Sequence, residues 1–231
     1  MSGNQFRDVI MKTTLLSLAV SLALALPAAA SFAAEMPAAA TPAAQSTTTK
    51  ATATAPELHK AMRALWHGHI VHTRAYAEAV KAGNAAATTR AADETVANAK
   101  EIANAVAGFY GEDAGAGMLK LLGGHWQGVK DLTDARHAGN DVAADKAMNE
   151  LDENAAAVAK FLSGANPNLP YDAVNGLMLA HIGYHAGQIQ QIMKGDKAGE
   201  AKTWKDMQAH MDMFADALSD GIAKQFPDKA K

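Results

Sequence analysis

The sequence predicts an all-α fold, an up-and-down bundle of about six helices built from three 56-residue helical hairpins. The first observation behind this prediction is composition, because alanine is abundant whereas aromatic residues make up only 6% of the 231 residues. Alanine has the highest helix propensity, and strands are rich in aromatic and β-branched residues. The second observation is an internal repeat. The third is an apolar stripe whose residues recur three and four positions apart, as a buried helix face requires.

The repeat consists of three segments that align without gaps and begin at Leu65, Leu121 and Leu177. Their spacing is 56 residues both times (121 − 65 and 177 − 121). Each segment ends with a glycine suited to the left-handed conformation that terminates a helix, namely Gly83, Gly139 and Gly195. The residue after it can cap the next helix with a side-chain oxygen, namely Asn84, Asn140 and Asp196. The predicted helices span about 57–82, 85–109, 113–138, 141–163, 171–194 and 198–225.

The N-terminal residues 1–34 have the pattern of a secretory signal peptide, with translation starting at Met1 or at Met11. An uncharged apolar run over residues 15–26 precedes Pro27 and a stretch of small residues. The run is shorter than the roughly 20 residues of a membrane-spanning helix. We therefore expect a periplasmic or secreted protein without stable membrane insertion after signal cleavage. Residues 35–56 are rich in Ala, Thr and Pro and predict a flexible tether, and residues 57–231 predict the bundle domain.

Charge and cysteine content exclude several classes of function. The formal net charge is −3, so no basic excess indicates a nucleic-acid partner. The absence of cysteine excludes disulfides, thiolate nucleophiles and cysteine-ligated metal sites. No Glu-x-x-His pair is present, which argues against a ferritin-like di-iron site. The oligomeric state is not decided by these features.

Histidine occupies the fifth place of each aligned segment, at His69, His125 and His181. These residues fall within the apolar stripe of helices that run parallel in an up-and-down bundle, so we expect them at similar depth in the core. A buried imidazole without a partner costs about 1–3 kcal/mol. A shared transition metal ion would satisfy all three, and imidazole suits zinc, copper and nickel. Three histidines that merely pack in the core are the competing interpretation.

Three more histidines are candidate ligands that complete or tune this site. His72 lies one turn after His69, and His185 lies four residues after His181, on the same side of its helix. His210 stands on the last predicted helix, at the place that Asn98 and Asn154 occupy in the other two hairpins.

The remaining histidines receive no role. His67 is expected to be exposed, and His59 and His137 are expected at helix ends or on the surface. Near His210, the segment MQAHMDM also holds Met207, Met211 and Met213. Thioether and imidazole together suit copper(I), although methionine at helical spacing is more often core filler.

The segment from His181 to Ile189, HIGYHAGQI, resembles the H-x-x-x-H-x-G-Q-I signature of DinB-like proteins. Those proteins are helical bundles that bind a divalent metal through this histidine pair and a third histidine on an earlier helix. The resemblance implies His181, His185 and His125 as ligands, and metal-dependent transferase or hydrolase chemistry as an activity.

A second resemblance covers most of residues 57–229. The pieces LW-x-x-H-x-x-x-TR from Leu65, FYGE-x-AG from Phe109 and SDGI-x-KQFPDK from Ser219 are similar to an uncharacterised family of small bacterial helical proteins. His125 belongs to the same pattern. This resemblance implies no activity.

Three functions therefore stay open from the sequence. The first is an exported metal-binding bundle that handles or senses a transition metal. The second is a DinB-like metal-dependent enzyme. The third is a non-catalytic structural or interaction module whose histidines pack and form hydrogen bonds.

Overall fold

The structure is a computed structural model and describes residues 55–230. The predicted signal peptide and residues 35–54 of the predicted tether lie outside the described residues. Within 55–230 the chain forms helices and no strand: α1 (Pro56–Lys81), α2 (Ala85–Tyr110), α3 (Glu112–Ala138), α4 (Asp141–Ala165), α5 (Tyr171–Lys194) and α6 (Lys197–Gln225). The all-α prediction is confirmed. Helix α1 begins one residue before its predicted start, at Pro56, because proline is well suited to the first turn of a helix.

The helices form an inner and an outer set. Helices α1, α3 and α5 contact one another along the inside. Each outer helix packs against two inner ones: α2 against α1 and α3, α4 against α3 and α5, and α6 against α5 and α1. Short connections make consecutive helices antiparallel, so the three inner helices run in the same direction. Side chains at equal places on the inner helices therefore lie at similar depth.

The three hairpin turns share one geometry. Their glycines have positive φ angles of 65°, 68° and 73°, at Gly83, Gly139 and Gly195. In the first turn the Gly83 amide donates to Val80 and the Asn84 amide to Ala79, both at 3.0 Å. This is the Schellman pattern, which satisfies the last free carbonyls of a helix. The Asn84 side chain then accepts from the Ala87 amide at 3.1 Å and caps α2.

The core runs through the whole bundle. Its fully buried large side chains come from inner and outer helices alike and include Ile70, Leu132, Leu151, Ile182 and Phe214. Burying each such side chain stabilises the fold by about 1.5–3 kcal/mol. Across residues 55–230, none of the helices combines the length and the apolar character needed to cross a membrane.

Helices α6 and α1 close the ring, although no short turn connects them. Their contact is rich in polar pairs. The His59 ring lies between Asp216 and Asp220, with nitrogen–oxygen distances of 2.9 and 3.1 Å. Nearer the other end, the Arg74 guanidinium donates to both oxygens of Glu200 at 2.7 and 3.0 Å. This α1–α6 seam joins the first and last helices of the bundle.

Candidate metal centre

Four histidines meet between the inner helices. They are His69 on α1, His125 on α3, and His181 and His185 on α5. One ring nitrogen from each lies within 4.8 Å of those of the other three. Each residue is only 2–3% exposed. We call this group the histidine cluster. The prediction that the fifth-place histidines face the core and lie at similar depth is confirmed.

Three members of the cluster form a nearly equilateral triangle. The ring centroids of His69 and His125 are 5.6 Å apart, those of His69 and His181 5.5 Å, and those of His125 and His181 5.4 Å. The geometry follows from the inner helices, since equal places on three parallel helices face a common axis. His185 breaks the threefold pattern, because Thr73 and Val129 occupy the corresponding places.

The two histidines of α5 are already placed for chelation. Their Nε2 atoms are 3.0 Å apart, in van der Waals contact across one helical turn. Two nitrogens bound tetrahedrally to zinc, with bonds of about 2.0–2.1 Å, lie about 3.3 Å from each other. When no ion is bound, one of the two nitrogens must carry a proton and donate it to the other.

Other nitrogens of the cluster have no hydrogen-bond partner among the described residues. These atoms are His69 Nε2, both ring nitrogens of His125, and His181 Nδ1. An imidazole that is buried without its hydrogen bonds destabilises a fold. The cluster therefore concentrates unsatisfied nitrogens in one small region of an apolar core.

Burial keeps the four rings uncharged at neutral pH. It lowers the pKa of His69 to about 3, with smaller contributions from His125 and His72. It also lowers the pKa of His125 to about 4, an effect that the neighbouring Asn154 amide partly offsets. The pKa values of His181 and His185 are well below the ordinary value, again because of burial first and the other histidines second. Neutral imidazoles present free lone pairs, which metal binding requires.

The other two predicted ligands, His72 and His210, lie outside the cluster. The side chain of His72 is 28% exposed, and its Nδ1 is 3.3 Å from the Glu94 carboxylate. The His210 ring is buried and stacks on that of His181, with 6.3 Å between centroids. Its Nε2 donates to the Leu177 carbonyl at 3.0 Å. His210 thus supports a member of the cluster from α6.

Asn98 and Asn154 make the bond that corresponds to that of His210. Each donates its Nδ2 to a carbonyl at 3.0 Å, Asn98 to Leu65 and Asn154 to Leu121. In each case the accepting leucine stands four residues before a fifth-place histidine. The sequence aligns these two asparagines with His210 but gives no reason to assign them a role.

Glycine makes room for the two asparagines. A Cβ on Gly68 would lie 2.9 Å from Asn98 Nδ2, and one on Gly124 would lie 3.1 Å from Asn154 Nδ2. The third hairpin has Ala180 at that place and the longer His210 opposite it. The outer helices thus deliver a polar side chain next to each fifth-place histidine.

The remaining histidines stay apart from the cluster. His59 is buried at the start of α1, between the two carboxylates of the seam. Its burial differs from a surface position because α6 packs over the first turn of α1. The His67 side chain is 34% exposed and lies 3.0 Å from Asp212. His137 is exposed at the end of α3.

The methionines of α6 do not converge on one point. Met207 and Met211 are buried in the core, whereas Met213 is 58% exposed.

Imidazole is the sole donor type in the cluster. The metal-binding group found among residues 55–230 contains four histidines and no carboxylate. The charged influences on their pKa values likewise come from other histidines. The arrangement can hold one ion in a shell of uncharged nitrogens.

No protein-family model, curated protein or solved structure matches the chain. The DinB-like resemblance and the resemblance to small bacterial helical proteins stay predictions.

Proposed function

We propose that this protein is an exported helical bundle that binds one transition metal ion through His69, His125, His181 and His185. The observation that carries the proposal is the convergence of four buried, neutral imidazoles whose ring nitrogens lie within 4.8 Å of one another. Metal handling, as storage or sensing, is the role that fits such a site.

A bound ion would relieve the unfavourable feature of this core. Each unpaired buried imidazole costs about 1–3 kcal/mol, and nitrogens of three different rings in the cluster lack partners. A single ion at the centre would accept a lone pair from each ring. Drawing the nitrogens from within 4.8 Å to the roughly 3.3 Å of a tetrahedral shell requires rotation of side chains only over short distances.

The number of ligands favours a closed site over a catalytic one. Catalytic zinc centres keep one position open for water, whereas structural centres are closed by four protein ligands. A DinB-like enzyme would use His125, His181 and His185 and would leave that position free. The His69 ring is as close to those of His125 and His181 as these two are to each other. It therefore favours four-coordinate binding.

Export is part of the proposal and rests on the sequence of residues 1–34. An apolar run followed by small residues is typical of a cleaved secretory signal. Mass spectrometry of the protein from the periplasmic fraction would test this element. A mature N-terminus after Ala30 or Ala33 is expected, and an intact N-terminus in the cytoplasm would contradict it.

We also infer that the bundle consists of three copies of one hairpin. Turn bonds, caps and the bonds to the leucine carbonyls recur at intervals of 56 residues. Duplication of one unit would place a histidine at equal depth on each inner helix without further selection of spacing.

Elemental analysis of the untagged mature protein, purified without chelators, tests the metal site. We expect close to one transition metal ion per chain. His69→Gln should abolish binding in the four-histidine site, whereas a DinB-like site would retain it. His137→Gln, at an exposed position, serves as the matched control and should keep its metal. A protein that holds no metal and takes up neither zinc, copper nor nickel would leave the structural-module interpretation.

A further inference from the structure

The charge balance of the histidine cluster indicates which class of ion it selects. Its four donors are neutral imidazoles, and the group found among residues 55–230 includes no carboxylate that could compensate a cation. An ion bound there would therefore keep its full formal charge inside the bundle.

The surroundings of the cluster are apolar as well. Trp66 packs edge-on against the His69 ring, with 6.1 Å between centroids. Ile70 and Ile182, which follow His69 and His181 in the chain, are 0% and 1% exposed. An anion recruited from solvent would have to be desolvated in the same core, so it offers no easy compensation.

Desolvation separates ions by charge at such a site. The Born cost of moving an ion from water into a medium of low dielectric constant grows with the square of its charge, so a divalent ion costs about four times as much as a monovalent ion of the same size. Donor type does not separate the candidates, because imidazole suits zinc, copper and nickel alike. Charge is then the property on which this centre discriminates.

We propose that the ion bound by the histidine cluster is monovalent copper, Cu(I), and that the uncharged shell of four imidazoles disfavours divalent ions. The inference rests on the proposed metal-binding function and names the ion for it. Like zinc(II), Cu(I) has a filled d shell and imposes no geometry of its own, so it accepts the four nitrogens as the inner helices present them.

A matched pair of variants tests the role of charge. His185→Glu places one carboxylate in the shell, and His185→Gln removes the same imidazole without adding charge. We expect the ratio of Cu(I) to Zn(II) affinity to fall at least tenfold in the glutamate variant relative to the glutamine variant. The affinities are measured anaerobically by competition with chromophoric chelators. Equal ratios in the two variants would overturn the proposal.

Measurements on the unaltered mature protein keep the test decisive if either variant fails to fold. With equimolar Cu(I) and Zn(II) under anaerobic conditions, native mass spectrometry should show copper retained and zinc excluded. Ag(I), a redox-inert monovalent probe, should bind at the same one-to-one ratio. The Cu(II)/Cu(I) potential should lie above that of copper with four imidazoles in water. Retention of Zn(II) or Ni(II) against Cu(I), or a potential at or below that reference, would overturn the inference.

Failure of the underlying function gives a different result. If the protein takes up none of Cu(I), Ag(I), Zn(II) and Ni(II), the metal site itself is refuted, whereas selective binding of a divalent ion refutes only the choice of copper(I).

Discussion

At the scale of single residues, burial both destabilises the histidine cluster and prepares it for binding. Desolvation disfavours the charged form of each ring, which lowers the pKa and leaves lone pairs free at neutral pH. The same burial leaves ring nitrogens without hydrogen-bond partners. A core that only needed to be stable would place apolar side chains at these positions, so the cluster has the features of a site retained for function.

Acid should destabilise the metal-free protein, beginning below the pKa of an unfolded histidine. The pKa of His69 is lowered to about 3 and that of His125 to about 4, against about 6.5 in the unfolded chain. Between these values the unfolded state binds protons that the folded state excludes, so stability falls as pH falls. Above about pH 6.5 these two rings are neutral in both states and contribute no slope.

Urea unfolding at pH 7, 6 and 5 measures this effect. Each of the two histidines should contribute a slope of about 1.4 kcal/mol per pH unit between pH 6 and 5. His125→Gln should reduce the total slope by about that amount, whereas the exposed His137→Gln should leave it unchanged. An unaltered slope in the His125 variant would show that this ring is not buried in its neutral form.

At the scale of helices, small residues set how closely neighbours approach. Gly115 on α3 faces α2, where a Cβ would lie 2.7 Å from Ala107 Cβ and 3.0 Å from the Ala103 carbonyl oxygen. A backbone oxygen cannot move aside like the end of a flexible side chain. Gly123, two turns further along α3, is exposed, and a Cβ added there would meet no atom within 4 Å.

Alanine substitutions at these two glycines should therefore have opposite signs. Gly115→Ala should destabilise the bundle by about 1–3 kcal/mol, because the added methyl group pushes α2 and α3 apart. Gly123→Ala should stabilise it by about 0.5–1 kcal/mol, since alanine has the higher helix propensity. Thermal and chemical unfolding of the two variants measures both effects. A stabilised Gly115 variant would mean that α2 and α3 pack less closely than these distances require.

At the scale of the whole molecule, the α1–α6 seam is where the bundle closes without a covalent turn. Glu200 anchors it. Its side chain is only 10% exposed, and it accepts from Arg74 and from Gln188, the latter at 2.9 Å. Burial alone would raise the pKa of Glu200, but these hydrogen bonds outweigh it and the pKa is lowered. The Arg74 guanidinium also lies over the Trp204 ring, 4.9 Å from its centroid.

Removing the charge of Glu200 should weaken this closure. Glu200→Gln should lower the free energy of unfolding at pH 7 by about 1–3 kcal/mol, because a charged hydrogen-bonded pair is lost in a largely buried place. Glu78 pairs with the same arginine at 3.1 Å but is 49% exposed. Glu78→Gln is therefore the matched control and should cost less than about 1 kcal/mol. Equal losses in the two variants would contradict a special role for Glu200.

The sequence by itself determined the helices, their turns and the register of the three hairpins. These features are local, because helix propensity, apolar periodicity, a left-handed glycine and a capping side chain each act within a few residues. The equal depth of His69, His125 and His181 followed from their spacing of 56 residues once the helices alternate in direction.

Only the tertiary structure decided which neighbouring histidines join them. His185 and His72 each lie one turn after a fifth-place histidine, at four and three residues respectively. At 3.6 residues per turn these offsets rotate a side chain by about 40° one way and about 60° the other. How far either rotation carries a ring from the common axis depends on how all three inner helices pack. That packing buries His185 in the cluster and leaves His72 beside Glu94, partly in solvent.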